Sequence, residues 1–270
     1  MALAAAGEIR VGVGGWVFQP WRGAFYPEGL KQADELAYMS RHVTAIEINS
    51  TYYGSQKPET FAKWRDATPE GFKFTLKGSR FCTNRRLLAE AEDSIKRFFG
   101  QGVTELGDKL GPVLWQFAPT KRFEEADFEA FLSLLPAKAD GLPLKHVVEV
   151  RHDSFRSPAF VALLRRFKVP VVHADHGAYP GIWDLAGDVV YVRLQTGSDD
   201  IPTAYPPAAL DQWARRFRTW AAGEAPADLG LVDPGHPAER APRDVFAFVI
   251  HEGKIRAPAA AQALIERLVG

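Results

Sequence analysis

The chain has a single cysteine among its 270 residues, Cys82, and this scarcity excludes an internal disulfide and a zinc site built on cysteine pairs. No uninterrupted apolar run approaches the roughly 18 residues that a membrane-spanning helix needs. The apolar residues 1–6 form too short a run, have no basic leader and continue into Glu8 and Arg10, so we expect no signal peptide. The sequence therefore predicts a protein of the cytoplasm that makes no use of a membrane.

A net charge of one sign is also absent, because 33 basic and 33 acidic residues cancel. Without an overall positive field, the chain is not drawn as a whole to nucleic acid or to an anionic membrane. A local cluster of cations does occur at Lys73, Lys77, Arg80, Arg85 and Arg86. Its two interpretations are a solvated loop with the start of a helix, or a site for an anion.

Several catalytic motifs are missing from the chain. It contains no GxxxxGK[ST], no GxGxxG between a strand and a helix, no GxSxG and no HExxH. Their absence argues against nucleotide hydrolysis, dinucleotide-dependent redox chemistry, the hydrolase nucleophile elbow and the common zinc protease site.

Eight short runs rich in β-branched and aromatic residues are bounded by Gly, Pro or charge, which is the pattern of strands. Several are hydrophobic throughout, as expected of parallel strands that are covered on both faces. The predicted strands are 9–13, 44–48, 72–77, 112–117, 146–151, 169–173, 189–194 and 245–250.

Helical patterns separate most of these strands, at 30–42, 86–106, 124–135, 157–167, 207–222 and 257–269. The alternation of eight strands with helices predicts an α/β fold, a single (β/α)8 TIM-type barrel over residues 1–270. The connection between strands 6 and 7, residues 174–187, carries three Gly and a Pro and is predicted to be irregular. Residues 223–242, rich in Ala, Pro and Gly, are interpreted as a surface excursion within the same domain.

Two acids near strand ends are the main candidates for catalysis, since loops after the carboxyl ends of barrel strands form the active face. Glu47 lies in a strand that continues into Asn49 and Thr51 on the same side, and Glu149 is followed by Arg151 in the same relation. We expect these carboxylates to exchange protons with a substrate. The alternative for Glu47 is neutralisation by an arginine from another strand.

Other polar and aromatic side chains near the predicted strand ends are candidates for substrate binding: Trp16, Asn49, Tyr52, Lys77, Gln116, Arg151, His152 and Arg193. Arg193 suits a carboxylate or phosphate, and equally suits a glutamate of the barrel. His173 and Asp175, near the end of strand 6, are the donor types that a divalent metal prefers. With Glu47, Glu149 and His152 they would make an N/O metal site; as an isolated sequence cluster they are equally a loop feature.

The motifs, in their order, resemble the DUF72 (YecE-like) family of uncharacterised proteins. They are GGW at 14–16, WRGAFYP at 21–27, EINSTYY at 47–53, Trp64 with TP at 68–69, FKF at 72–74, LGPVLWQF at 110–117, EVRH at 149–152 and YVRL at 191–194. The resemblance implies a TIM-type barrel and brings no catalytic assignment. Two segments depart from the sequences typical of that family: FCTN at 81–84, after the third predicted strand, and IHE at 250–252, at the end of the eighth.

Three functional hypotheses follow. The leading one is a barrel enzyme, a hydrolase of a small polar substrate such as a sugar derivative or phosphate ester, with Glu47 and Glu149 as its acid and base. The second is metal-dependent nucleic-acid binding or repair, which would need a basic face near Lys77 and a bound metal. The third is a barrel that binds a small ligand without catalysis.

Overall fold

The computed structural model describes residues 6–269, and its centre is one sheet of eight parallel strands. The strands are β1 (Ile9–Gly14), β2 (Ala45–Ile48), β3 (Lys73–Lys77), β4 (Leu110–Gln116), β5 (His146–Glu149), β6 (Val172–Asp175), β7 (Val189–Thr196) and β8 (Asp244–Glu252). Neighbouring strands of the sheet pair in the order β5-β4-β3-β2-β1-β8-β7-β6.

The sheet curls until its two edge strands meet. Strands β5 and β6 are joined by one isolated parallel bridge between Val148 and Val171, and the Val148 amide donates to the Pro170 carbonyl at 3.0 Å. The result is a nearly closed (β/α)8 barrel, which confirms the predicted fold class. A two-stranded antiparallel hairpin of Lys138–Ala139 and Leu142–Pro143 lies before β5.

Helices surround the barrel: α1 (Glu35–Met39), α2 (Ser50–Tyr53), α3 (Pro58–Asp66), α4 (Arg80–Thr83), α5 (Glu92–Phe99), α6 (Glu125–Leu134), α7 (Pro158–Phe167), α8 (Pro207–Ala221) and α9 (Ala257–Val269). Short 3₁₀ turns occur at Gln19–Trp21, Gln32–Asp34, Leu88–Ala91, Val103–Lys109, Asp153–Phe155 and Lys254–Arg256. Among residues 6–269, no helix combines the length and the apolar character needed to cross a bilayer.

Two predicted helices are wrong in extent. The pattern at 30–42 yields a 3₁₀ turn followed by the short helix α1, and the pattern at 86–106 is divided into α5 and two flanking 3₁₀ segments. The second break occurs where Gly102 adopts a left-handed φ of 95°, a conformation that ends a helix. Helix α3 was not predicted, because its mixed polar sequence has little amphipathic contrast.

The connection between β6 and β7 contains no helix among its described residues 176–188, as predicted from its glycines. Residues 223–242 pack against this connection. The Asp184 carboxylate accepts the amides of Val232 and Asp233 at 2.7 and 2.9 Å, and Arg165 of α7 pairs with Asp233 at 2.8 Å. The surface excursion therefore covers the part of the barrel that the missing helix leaves open.

Strand boundaries differ from the predicted ones at functionally relevant points. Strand β6 begins at Val172 and not at residue 169, because Pro170 has no amide donor and the Val169 amide bonds to the Leu164 carbonyl at the end of α7. Strand β2 ends at Ile48, so Thr51 lies in α2. The prediction that Thr51 shares a strand face with Glu47 is therefore wrong.

The barrel interior changes character along its length. An apolar cluster fills it: Ala45, Leu114, Val147, Val172, Val189, Tyr191, Phe246, Phe248 and Ile250. Two positions further along their strands, the inward side chains become Glu47 after Ala45, Glu149 after Val147 and Arg193 after Tyr191. The interior is thus packed with apolar groups toward the amino ends of these strands and charged toward their carboxyl ends.

Candidate functional site

A cavity of about 530 Å³ opens at the carboxyl ends of the strands. Aromatic residues including Tyr52, Tyr53 and Tyr179 contribute to its lining. The polar residues of the lining are Asn49, Lys77, Gln116, Arg151, Arg193, Gln195, His251 and Lys254. This is the end of a TIM-type barrel at which active sites are found. The structure therefore brings six of the predicted site residues to one wall: Asn49, Tyr52, Lys77, Gln116, Arg151 and Arg193.

Glu47 and Glu149, the two predicted catalytic acids, are fully buried and are not part of the cavity wall. The guanidinium of Arg193 reaches both of them. Its Nη1 donates to Glu149 Oε2 at 2.7 Å, and its Nη2 donates to Glu47 Oε1 at 3.1 Å. One arginine from β7 thus bridges the acids of β2 and β5.

Each glutamate has a further partner on its second oxygen. Glu47 Oε2 accepts from the Tyr191 hydroxyl at 2.8 Å, and Glu149 Oε1 accepts from Arg151 Nε and Nη2 at 3.1 and 2.9 Å. Burial alone would raise the pKa of Glu149, but the charges of Arg193 and Arg151 outweigh it and lower that pKa below its ordinary value. Glu149 is therefore an ionised, hydrogen-bonded anchor for two arginines.

The buried ion pairs also determine how two amides face the cavity. An ionised carboxylate can only accept, so Asn49 donates its Nδ2 to Glu47 Oε1 at 3.2 Å and keeps Oδ1 as an acceptor. An arginine can only donate, so Gln116 uses Oε1 to accept from Arg151 Nη2 at 2.8 Å and keeps Nε2 as a donor. The wall consequently offers one amide acceptor and one amide donor in fixed orientations.

Lys77 differs from the two arginines because it has no acidic partner in the part of the chain that the structure describes. Its side chain is only 6% exposed, and among residues 6–269 no carboxylate lies within 4.0 Å of its Nζ. The Nζ instead lies 4.2 Å from the centroid of the Tyr52 ring. Burial, reinforced by the charge of Arg193, lowers the pKa of Lys77 to about 8, and the attraction of Glu47 and Glu149 offsets this only in part.

The charges of the site sum to a positive value. Glu47 and Glu149 balance Arg151 and Arg193, which leaves the protonated Lys77 as a surplus cation beside them. Lys254 also lines the cavity, and among residues 6–269 no carboxylate lies within 4.0 Å of its Nζ, so it adds to the positive charge. Gln195 also belongs to the wall, but its Oε1 is buried and has no hydrogen-bond partner among the described residues. The cavity is thus suited to a compound with a negative group.

Two residues predicted to bind substrate lie outside the cavity wall. Trp16 packs edge-on against Trp64 and Phe74, with ring centroids 5.3 and 6.5 Å apart. His152 Nδ1 bonds to the hydroxyl and the amide of Ser154 at 2.9 and 3.1 Å, and caps the turn Asp153–Phe155. Their contacts are those of an aromatic core residue and a loop anchor.

Of the two residues considered for a metal, Asp175 is hydrogen-bonded to Thr196, and His173 uses one ring nitrogen for a backbone carbonyl while its buried Nε2 has no hydrogen-bond partner among the described residues. His173 bonds through Nδ1 to the Ile182 carbonyl at 2.9 Å and packs on Trp220, and burial lowers its pKa to about 4. Asp175 accepts from Thr196 Oγ1 at 2.5 Å. Within the described part of the chain, no group of three or more His, Cys, Asp or Glu side chains is arranged to hold a metal ion.

Sequence reasoning missed Tyr179 and Lys254 of the cavity lining. Tyr179 comes from the irregular connection after β6, and its ring lies 4.5 Å from the Arg151 guanidinium and 3.8 Å from the ring of His176. Loops of this kind carry no periodicity that could have placed it. Gln195 had a signal, because it stands two residues after Arg193 on the same strand face.

Comparison with known proteins matches residues 10–270 to the family described as "Protein of unknown function DUF72". "UPF0759 protein YecE" of Escherichia coli (strain K12) is 27% identical over 150 residues, which are 54% of this chain and 50% of that protein. "UPF0759 protein YunF" of Bacillus subtilis (strain 168) is 26% identical over 157 residues, 56% of this chain and 54% of that one. The chain thus spans about half the length of the curated relatives it matches.

Two solved structures have a similar fold. A DUF72 family protein (TM1631) of Thermotoga maritima MSB8 superposes with a TM-score of 0.68 at 21% identity, over 96% of this chain and 97% of that one. A DUF72 family protein (EF0366) of Enterococcus faecalis V583 superposes with a TM-score of 0.69 at 17% identity, over 97% and 96% of the two chains. Since the family matches all but the first nine residues, this barrel belongs to the DUF72 family.

Proposed function

We propose that the protein is an enzyme that binds a small anionic, hydroxylated compound, such as a sugar phosphate, in the cavity at the carboxyl ends of the strands. The observation that carries this proposal is the surplus cation Lys77, which stands beside two arginines whose charges are already balanced by Glu47 and Glu149. A cavity of about 530 Å³ is in the usual range for small-molecule sites.

The hydrogen-bonding groups of the wall support a ligand with hydroxyl groups as well as a negative charge. Lys77 and Gln116 Nε2 donate, which suits phosphate or carboxylate oxygens. Asn49 Oδ1 is free to accept, which suits a hydroxyl group. A neutral apolar compound would leave these buried polar groups without partners and would bind poorly.

Burial and ion pairing argue that Glu47 and Glu149 position the site and do not exchange protons with the substrate. A glycosidase-like pair of carboxyl groups needs open space between them for sugar and water. Here the Arg193 guanidinium occupies that space, and Glu149 is held in its ionised form. Lys77 lies on the wall and its pKa is lowered to about 8, so its protonation changes close to neutral pH, and we assign the acid or base role of this enzyme to its amine.

The contacts do not favour a nucleic-acid site. The cations that would form a basic face are separated: Lys77 lies inside the barrel mouth, and the Arg85 guanidinium is held by the carbonyls of Phe81 and Glu90 and the hydroxyl of Ser94. A protein that binds a small ligand without catalysis would need the same cavity as the proposed enzyme. The two differ in that a binding protein releases the compound unchanged.

Isothermal titration calorimetry with inorganic phosphate, ribose 5-phosphate and unphosphorylated ribose tests the proposal. We expect binding of the two phosphates, weaker binding of ribose, and a loss of at least about tenfold in phosphate affinity in Lys77→Met, since one charged contact contributes about 1.5–3 kcal/mol. Lys96→Met is the matched control, because Lys96 is exposed on α5 and pairs with Glu92. Equal affinity for ribose and ribose 5-phosphate would contradict an anion site. NMR spectra of the sugar phosphate after incubation with the protein show whether it is converted or only bound.

A further inference from the structure

We propose that the ε-amine of Lys77 is a nucleophile that forms a Schiff base with an aldehyde or ketone group of the bound compound. The inference rests on the proposed function, which supplies the anionic compound in the cavity. It adds the substrate class, a carbonyl compound that also carries a phosphate or carboxylate. A hydroxylated aldehyde phosphate has all of these features.

The surroundings of Lys77 are those of an amine that can lose its proton. Lys109 provides the contrast, because it is similarly buried, at 9% exposure, but its Nζ donates to the carbonyls of Arg65 and Thr68, both at 2.6 Å, and to Thr68 Oγ1 at 3.1 Å. These acceptors hold the Lys109 ammonium in place. Among residues 6–269, the Nζ of Lys77 makes no hydrogen bond or ion pair, and its contact with the Tyr52 ring is its one cation–π interaction.

The charged groups around Lys77 act in both directions. Arg193 and Arg151 disfavour its protonated form, and Glu47 and Glu149 favour it, but the glutamates are already shared with the arginines. With a pKa of about 8, roughly one Lys77 in ten is uncharged at pH 7, against roughly one in three thousand for an ordinary lysine. The population of the reactive amine is therefore higher by a factor of about 300. Burial beside other cations is a recognised means of activating a lysine.

The chemical step is balanced by the release of water. The Nζ lone pair attacks the carbonyl carbon, and a C–N bond forms as the C–O π bond breaks. The nitrogen loses one proton and the oxygen takes up one, which gives a neutral carbinolamine. This hydroxyl then leaves as water with a second proton, and the nitrogen keeps one hydrogen in a protonated imine. Overall, one amine, one carbonyl and one proton give one iminium ion and one water. The iminium carries the same charge as the ammonium, so the Tyr52 ring, at 4.2 Å from Nζ, can face either species.

Reductive trapping tests this proposal. The protein is incubated with glyceraldehyde 3-phosphate and cyanoborohydride, which adds hydride to the imine carbon and leaves a stable secondary amine that peptide mass spectrometry locates. We expect the adduct at Lys77 to form about two orders of magnitude faster than at the exposed Lys96 at pH 7, and faster than at Lys254, which also lines the cavity but is less buried, with no adduct at Lys109. The Lys77 rate should rise about tenfold from pH 6 to pH 7 and level off above pH 8. Modification of Lys77 and Lys96 at equal rates would overturn the proposal.

Two variants show whether the reaction depends on this amine. Lys77→Met removes it, and Lys77→Arg keeps a positive charge that cannot form an imine. We expect no adduct at position 77 in either, phosphate binding retained in Lys77→Arg, and cooperative unfolding in both. An unchanged total yield of adduct in the folded variants would refute the assignment.

Failure of this inference can be told apart from failure of the proposed function. If inorganic phosphate binds the wild-type protein and Lys77 is not trapped, the nucleophile is refuted and the anion site stands. If Lys77 is trapped as fast by unphosphorylated glyceraldehyde as by its 3-phosphate, and inorganic phosphate does not compete, the nucleophile stands and the anion site is refuted.

Discussion

Replacement of Lys77 by methionine is expected to make the protein more stable at neutral pH while it weakens phosphate binding by at least about tenfold. Methionine has a similar length and no charge, so it can occupy the same nearly buried position without the cost of an unpaired ammonium. Residues that are needed for function often lower the stability of the folded protein in this way. The prediction tests the electrostatic description of the cavity without knowledge of the substrate.

The magnitude follows from the lowered pKa of Lys77. The value falls from 10.5 to about 8, a difference of about 2.5, and each pH unit corresponds to about 1.4 kcal/mol. Protonated Lys77 thus costs the folded state about 3 kcal/mol at pH 7. Because the unfolded chain binds more protons than the folded protein between pH 8 and 10.5, this cost decreases as the pH rises through that range. The advantage of the variant should shrink from about 3 kcal/mol at pH 7 to about half of that at pH 9.5.

Urea unfolding of both proteins at pH 7, 8.5 and 9.5 measures this advantage. The difference between variant and wild type at each pH cancels the contributions of other titrating groups. Lys96→Met again serves as the control and should show no pH-dependent difference, since Lys96 is an exposed partner of Glu92. A variant that is less stable than wild type at pH 7, or an advantage that stays constant across the three pH values, would refute the reasoning.

Two further predictions concern buried groups. Glu149→Gln leaves Arg151 and Arg193 without a shared anion and should lower the free energy of unfolding, measured in urea, by about 3–5 kcal/mol. Tyr191→Phe removes one hydrogen bond to Glu47 and should lower it by only about 1–3 kcal/mol. Equal losses in the two variants would argue against the buried charge network. His173 stays uncharged when folded, with a pKa of about 4, so the unfolded chain takes up its proton first and stability should fall as the pH drops from 6.5 toward 4. In His173→Phe this contribution of about 3 kcal/mol should disappear, and an acid unfolding profile with the wild-type slope would contradict it.

Much of the fold could be predicted from the sequence because parallel barrel strands are buried on both faces. Their apolar runs stand out locally, and the eight predicted runs correspond to the eight strands of the barrel. Helix extents were harder to predict, since short 3₁₀ turns and a left-handed glycine interrupt amphipathic patterns that look continuous along the chain.

The sequence by itself determined which side chains face inward near the carboxyl ends of the strands. Strand periodicity places Glu47 with Asn49 and Glu149 with Arg151, because alternate residues share a face. Only the tertiary structure decided that Arg193, 146 residues after Glu47 and 44 after Glu149, bridges both acids. It also decided that Lys77 has no acidic partner among the described residues. Which charges neutralise each other depends on how the barrel closes and on the register of distant strands, and no local pattern contains that information. The proposal that Lys77, and not either glutamate, is the reactive group therefore rests on the folded chain.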